Sequence, residues 1–210
     1  DDAMLIHGVL SGLGKEGETI RSVRFVGNRG YVVTFKQTDP FYTIDLTNAN
    51  NPTKVGELKI NGYSSYLHPI DEDHILGIGR DATPDGQTVG LKMELFNVED
   101  FANPTSVDTL NFGTPYSYSE MENNHKALAY RDSDKLLGFT YSTENWKNEL
   151  GVFQIEGDTI IRYQAIDSPN TNQGYNSFER GLIFDDLSGQ TYIAYFANGQ
   201  IVRKLLDDLR

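Results

Sequence analysis

An all-β chain is the class this sequence predicts, and three observations carry the prediction. Tyrosine (12), phenylalanine (11) and glycine (20) are abundant, a mixture that suits pleated strands joined by tight turns better than helices. Short segments alternate apolar and polar residues between turns rich in Asn, Asp, Gly and Pro, which is the period of half-buried strands. Finally, Asn-Pro-Thr-x-Val occurs at residues 51–55 and again at 103–107, inside DLTNANNPTKVGEL and NVEDFANPTSVDTL, so the same corner returns 52 positions later.

Taken in order, TIRSVRFVG (19–27) alternates, NRG (28–30) turns, and YVVTFK (31–36) is a dense apolar run, which together predict an antiparallel hairpin. FYTIDL (41–46) follows, and the corner NANNP (48–52) ends it, because Pro52 fixes φ and withholds a donor. TKVGELKI (53–60) is the fourth strand. A second unit reads SSYLHPI, HILGIGR, VGLKMELFNV and TSVDTLNF over 64–112, with the loop DATPDGQT at 81–88. A third reads NHKALAY, KLLGFTY, ELGVFQIEG and TIIRYQAI over 124–166. The fourth supplies ERGLIF, QTYIAYF and QIVRKLL within 176–206, one strand short. AMLIHGVL (3–10) has the character of the missing strand and is expected to complete that sheet, within one chain or between two. Four-stranded repeats of about 40–50 residues are the mark of propeller blades, which hide sheet edges by radial packing. The expectation is therefore one β-propeller domain over 1–210, with blades at 19–60, 64–112, 124–166, and 176–206 completed by 3–10. A β-sandwich with chance similarity is the competing architecture.

The strings SVRF, RGYVVTF, Asp-Pro before an IDL strand, the Asn-Pro corners, and GELKI followed by YLHP occur here in that order. With them the chain resembles a prokaryotic family of secreted proteins with a C-terminal β-propeller domain, closely from about residue 8 to 140 and more thinly to 206. The resemblance implies export, to the cell surface, the periplasm or the outside, and further blades in a larger ring. It implies no established activity.

Thirty acidic against 18 basic side chains leave a net charge of −12. Such a surface repels phosphate backbones and anionic headgroups, so neither nucleic acid nor membrane is an expected partner. Without cysteine there are no disulfides and no thiolate metal ligands. No apolar run reaches the roughly 18–20 residues of a membrane span, and the start at Asp1 lacks the features of a signal peptide, so the chain reads as an excised or processed piece.

In a propeller the first strand of each blade lines the central channel. Arg24, His68, Lys126 and Arg180 fall at comparable places on those strands, and a narrow channel would focus their field on an anionic or carbohydrate-like ligand. Polar residues at a wet channel mouth are the plainer explanation. Glu120 and His125 are a candidate acid and base, and with Arg180 they define the alternative reading, a hydrolase using the channel. Tyr116, Tyr118 and, in a loop with Tyr141, Trp146 are candidates for an aromatic surface that holds sugar or protein. Asp81, Asp85, Asp132 and Asp134 lie in short acidic loops and are weak calcium candidates, since none has a full calcium-loop spacing. No cofactor is otherwise expected. No nucleophile elbow, phosphate loop or dinucleotide fingerprint is present, so a non-catalytic binding or scaffold module for a protein, carbohydrate or anionic ligand is the favoured function.

Overall fold

The computed structural model describes residues 5–35, 39–143, 147–169 and 178–210. Among them the chain forms sixteen strands, three short 3-10 turns and no α-helix. It separates into two compact units, residues 1–107 and 108–210.

The first sheet is a meander of β1 (Thr19–Val26), β2 (Arg29–Phe35), β3 (Asp39–Asp45) and β4 (Thr53–Ile60), paired in that order. Its first hairpin turns on Gly27 and Asn28, not on 28–30 as the sequence suggests. A two-residue hairpin loop needs a left-handed residue, and Gly27 supplies it at φ +56°. Gly30 is then free to lie inside β2, against Ile44 and Leu46. The second sheet repeats the plan with β5 (Tyr63–Pro69), β6 (His74–Ala82), β7 (Thr88–Asn97) and β8 (Thr105–Phe112), and the boundary between the two units falls within β8.

The two first strands lie together, tied where the Ser22 hydroxyl donates to the Ser64 carbonyl at 2.7 Å. Each carries a bulge at this level, β1 between Ile20 and Ser22 and β5 between Ser64 and Tyr66. Behind them the facing sheets close a core of Tyr31, Val33, Phe41, Ile60, Leu67, Ile75, Phe96 and Val98. Phe41 and Phe96 stack with ring centroids 4.3 Å apart.

The repeated corner earns its place in this packing. Asp100 caps the second copy by accepting from Ala102 N at 3.1 Å and from Asn103 Nδ2 at 2.9 Å. That turn presents its backbone to the first sheet. The Phe101 carbonyl accepts from Thr43 Oγ1 at 2.6 Å, and the Phe101 ring meets Tyr31 edge-on at 5.9 Å. Gly56 on β4 makes the approach possible, since a Cβ there would stand 2.8 Å from the carbonyl oxygens of both Phe101 and Ala102.

The first copy of the corner has another neighbour. A Cβ on Gly8 would lie 2.3 Å from the Ala49 carbonyl oxygen and 2.7 Å from Pro52 Cδ. Residues 5–13 form no strand. Leu10 and Leu13 instead pack on Val32, Tyr42 and Ile44, the face of the first sheet turned away from the second. The sequence predicts a strand over 3–10; its described part, residues 5–10, takes no strand conformation, and Ala3 and Met4 lie outside the described residues. The fourth sheet holds three strands, β14 (Glu179–Asp185), β15 (Thr191–Ala197) and β16 (Gln200–Leu205). Leu10 and Leu13 find a sheet face in their own unit, while Leu5, Ile6 and Val9 stay exposed.

In the second unit the third sheet departs most from the repeat. Its centre is β10 (Leu136–Ser142) against β11 (Asn148–Glu156). The expected outer strand 159–166 is broken into β12 (Thr159–Arg162) and β13 (Ile166–Asp167), both paired with β11. Between them Tyr163 turns inward and its hydroxyl donates to Gln154 Oε1 at 2.5 Å. The first strand is also divided. β9 (Ala129–Arg131) covers one end of β10, Ser119 bridges Tyr141 at the other, and residues 120–128 leave as an excursion containing two 3-10 turns. Leu136, Leu150, Val152, Ile193 and Tyr195 join the third and fourth sheets in one core.

Replacing Gly56 by Ala is expected to lower stability by about 1–3 kcal/mol, because Thr43 and the second corner must both move. Chemical denaturation should show a lower midpoint with an unchanged slope; an unaltered midpoint would mean the corner does not dock as described.

Candidate functional site

The first strands are where the packed sheets leave polar side chains in reach of solvent, and most of the candidate cations stand on them. In the first unit Arg24 on β1 pairs in register with Tyr31, which turns its side chain toward the second sheet. Ser22 meets Ser64 across the two strands, and Arg24, two residues further along β1, is near enough to Tyr66 for its charge to act on the phenol. Burial raises the Tyr66 phenol above its ordinary value, and the Arg24 charge pulls it back. The Tyr66 hydroxyl in turn lies 3.0 Å from His68 Nδ1. Arg24 and His68, chosen from sequence, are thus linked through a tyrosine that the sequence reading passed over. The signal was available: Tyr66 follows Arg24 by 42 residues, the spacing of the two serines.

In the second unit Arg180 on β14 is not a free cation. Its guanidinium forks onto Glu120, with Nη2 donating to Oε1 at 2.8 Å, and Asn124 Nδ2 donates to the same oxygen at 2.6 Å. These contacts, the Arg180 bond first, hold the Glu120 carboxyl below its usual range. Glu120 is therefore an ionised acceptor and is poorly suited to donate a proton at neutral pH. His125 and Lys126 are exposed on the 3-10 turn capped by Asn124, which accepts from Lys126 N at 3.1 Å. The excursion of 120–128 is pinned to β14 by this ion pair and carries the other two charges outward.

The aromatic candidates separate. Tyr116 and Tyr118 are 80% and 48% exposed on the connection into the third sheet. Trp146 lies outside the described residues. Tyr141, expected in a loop, is buried in β10, where burial and then the nearby Glu149 push its phenol up to about 12. Its hydroxyl donates to Glu149 and accepts from Arg162.

Two of the acidic candidates, Asp132 and Asp134, are held by basic neighbours of the chain itself. Asp134 receives a two-pronged contact from Arg131, which reaches across to Asp185, and Asp132 pairs with Lys135 at 2.7 Å. Asp81 sits in β6 opposite Gly90, and Asp85 in the turn closed by Gly86 N and the Thr83 carbonyl. Among the described residues no three His, Cys, Asp or Glu side chains gather as a metal site. In the second unit a cleft of about 410 Å³ is lined by Ile166, Ser168, Val202, Lys204 and Asp208, among others.

Successive antiparallel meanders, with first strands adjacent and faces packed sheet on sheet within each unit, define the β-propeller class. The chain belongs to the beta propeller domain family, whose sequence profile matches residues 1–202. It is similar to an uncharacterised protein of Methanocaldococcus jannaschii, 36% identical over 98% of this chain and 31% of that protein. It is also similar to an uncharacterised protein of Archaeoglobus fulgidus, 42% identical over 80% of this chain and 26% of that protein. The chain thus spans about a third or less of the curated relatives it matches.

Glu120→Gln should destabilise the chain near neutral pH by up to about 1 kcal/mol. The depressed carboxyl contributes while it is ionised, above its ordinary value of 4.5, and the contribution is lost as pH falls through the lower folded value. Melting curves of variant and wild type should therefore converge on acidification; a gap that persists in acid would assign the effect to packing.

Proposed function

We propose that this chain is a binding module whose ligand is anionic or carbohydrate-like and meets the first strands of the first unit. The observation that carries this reading is the Arg24, Tyr66 and His68 constellation: a guanidinium, a phenol and an imidazole on neighbouring strands, in a protein of net charge −12. A local positive group stands out against such a surface and draws the anionic end of a ligand toward it. Arg180 is reassigned from ligand contact to the pin that holds the 120–128 excursion. Lys126 and His125 become exposed charges on that excursion, and Tyr116 and Tyr118 a secondary contact surface for protein or sugar.

The hydrolase alternative loses its acid, because Glu120 is committed to Arg180 and Asn124. Export to the cell surface or periplasm, and membership of a larger propeller, complete the proposal; both rest on the family resemblance and on the greater length of the relatives.

A glycan array containing uronic acids, sulfated sugars and their neutral counterparts tests the reading. The wild-type chain should retain acidic members, less strongly as salt rises. Arg24→Ala should keep its melting temperature and lose them, while Lys126→Ala changes little. Equal retention of neutral and acidic sugars, or unchanged binding by Arg24→Ala, would reject this site.

A further inference from the structure

The bulge in β1 does something the period of a strand forbids. Successive side chains of a regular strand point to opposite faces, so Arg21 and Ser22 should part. Arg21 is the extra residue between the register pairs Ile20–Thr34 and Ser22–Val33, and a bulge re-aims its side chain. Ser22 reaches the second sheet through Ser64, and Arg21 leans the same way. Its guanidinium carbon stands 5.2 Å from the centre of the Phe35 ring and 5.0 Å from that of Tyr63. The two rings are themselves 4.5 Å apart.

The seat beneath Arg21 is built from the other strand. Gly79, opposite the β5 bulge, lets the backbone crowd in: a Cβ there would fall 2.0 Å from the Tyr63 carbonyl oxygen and 2.8 Å from Ser65 N. This approach sets the Tyr63 ring against Phe35. Arg21 nevertheless stays exposed, and among the described residues its N–H groups have no hydrogen-bond or ion-pair partner. An arginine held by two aromatic rings, with its donor fork open, has lost much of the rotamer freedom that binding would otherwise have to remove.

We propose that Arg21 is an oxyanion-binding residue: its stacked guanidinium receives a carboxylate, sulfate or phosphate group of the ligand in two-pronged fashion, with Phe35 and Tyr63 as its platform. The proposal rests on the reading of the first strands as ligand-binding and adds the group that makes the directed contact, three residues before Arg24 on β1. The planar fork matches all three oxyanions, and an ammonium in its place would not.

The test observes Arg21 directly in the full 210-residue chain. Arginine Nε–Hε resonances are followed by NMR while sodium phosphate, sulfate or acetate replaces sodium chloride at constant ionic strength, with Arg21 assigned by the signal lost in Arg21→Lys. The Arg21 signal should move saturably with at least one oxyanion, and the three arms report which chemistry is preferred. Tyr63→Leu should weaken that binding roughly three- to tenfold through lost preorganisation. No saturable movement with any of the three, or the same midpoint in Tyr63→Leu, would overturn the proposal. The wild-type titration decides even if Arg21→Lys folds poorly, since Arg21→Gln also supplies the assignment. Failure here is separable from failure of the Arg24 site. A silent Arg21 beside loss of acidic glycans in Arg24→Ala rejects only this inference, and a saturating Arg21 beside an unaffected Arg24→Ala rejects only the other.

Discussion

Face-to-face packing of one sheet on the next is the constraint on which the first unit depends, and the Phe41–Phe96 stack is its centre. Each ring is fully buried, and each sits on a strand whose alternate residues also face inward. Burying such faces is the dominant favourable term, and it requires that the sheets approach closely along their whole depth. The corner of the second sheet meets that requirement at the periphery. Phe101 gives its carbonyl to Thr43 and its ring to Tyr31, and Arg29 lies over the same ring at 5.1 Å. The recurrence of Asn-Pro-Thr-x-Val is thus a recurrence of one docking problem.

The same packing explains why chemistry is left to the first strands. β2, β3, β6 and β7 are buried on both faces, so polar groups there must be paired internally. The buried Lys92 and Glu94, 2.6 Å apart on β7, are the example. β1 and β5 touch each other at one edge and remain accessible elsewhere, which leaves Arg21 exposed and Arg24 half-buried. Bulges add the second ingredient. They break the alternation locally, and a charged side chain can then share a face with the serine that ties the strands.

In the second unit charge does structural work where the repeat is weakest. Dividing the third sheet's first strand leaves residues 120–128 without ladder bonds. Two capped turns and the Glu120–Arg180 fork hold them in place. Arg131 does the same for the far end, joining Asp134 on its own sheet to Asp185 and Thr191 on the next. An acidic chain with few cations commits several of them to joints between sheets, and Arg21 and Arg24 stand apart because their guanidinium groups have no ion-pair partner among the described residues.

The sequence by itself determined the class, the strand count of the first two sheets and the corner, because period-two alternation and Pro or Asn turns are local and survive without tertiary context. It located Arg24 and His68 on adjacent strands for the same reason. Three things needed the tertiary structure. Residues 3–10 read as a strand, yet 5–10 form none and Leu10, with Leu13, settles on a sheet face, since the gain from covering Val32 and Tyr42 is invisible to a local pattern. Arg180 resembles Arg24 in position, and only the fold brings Glu120, sixty residues away, to neutralise it. Arg21 reads as one residue of an alternating strand, and the single-residue slip that turns it onto Phe35 and Tyr63 exists only when β1 is set against β2 and β5.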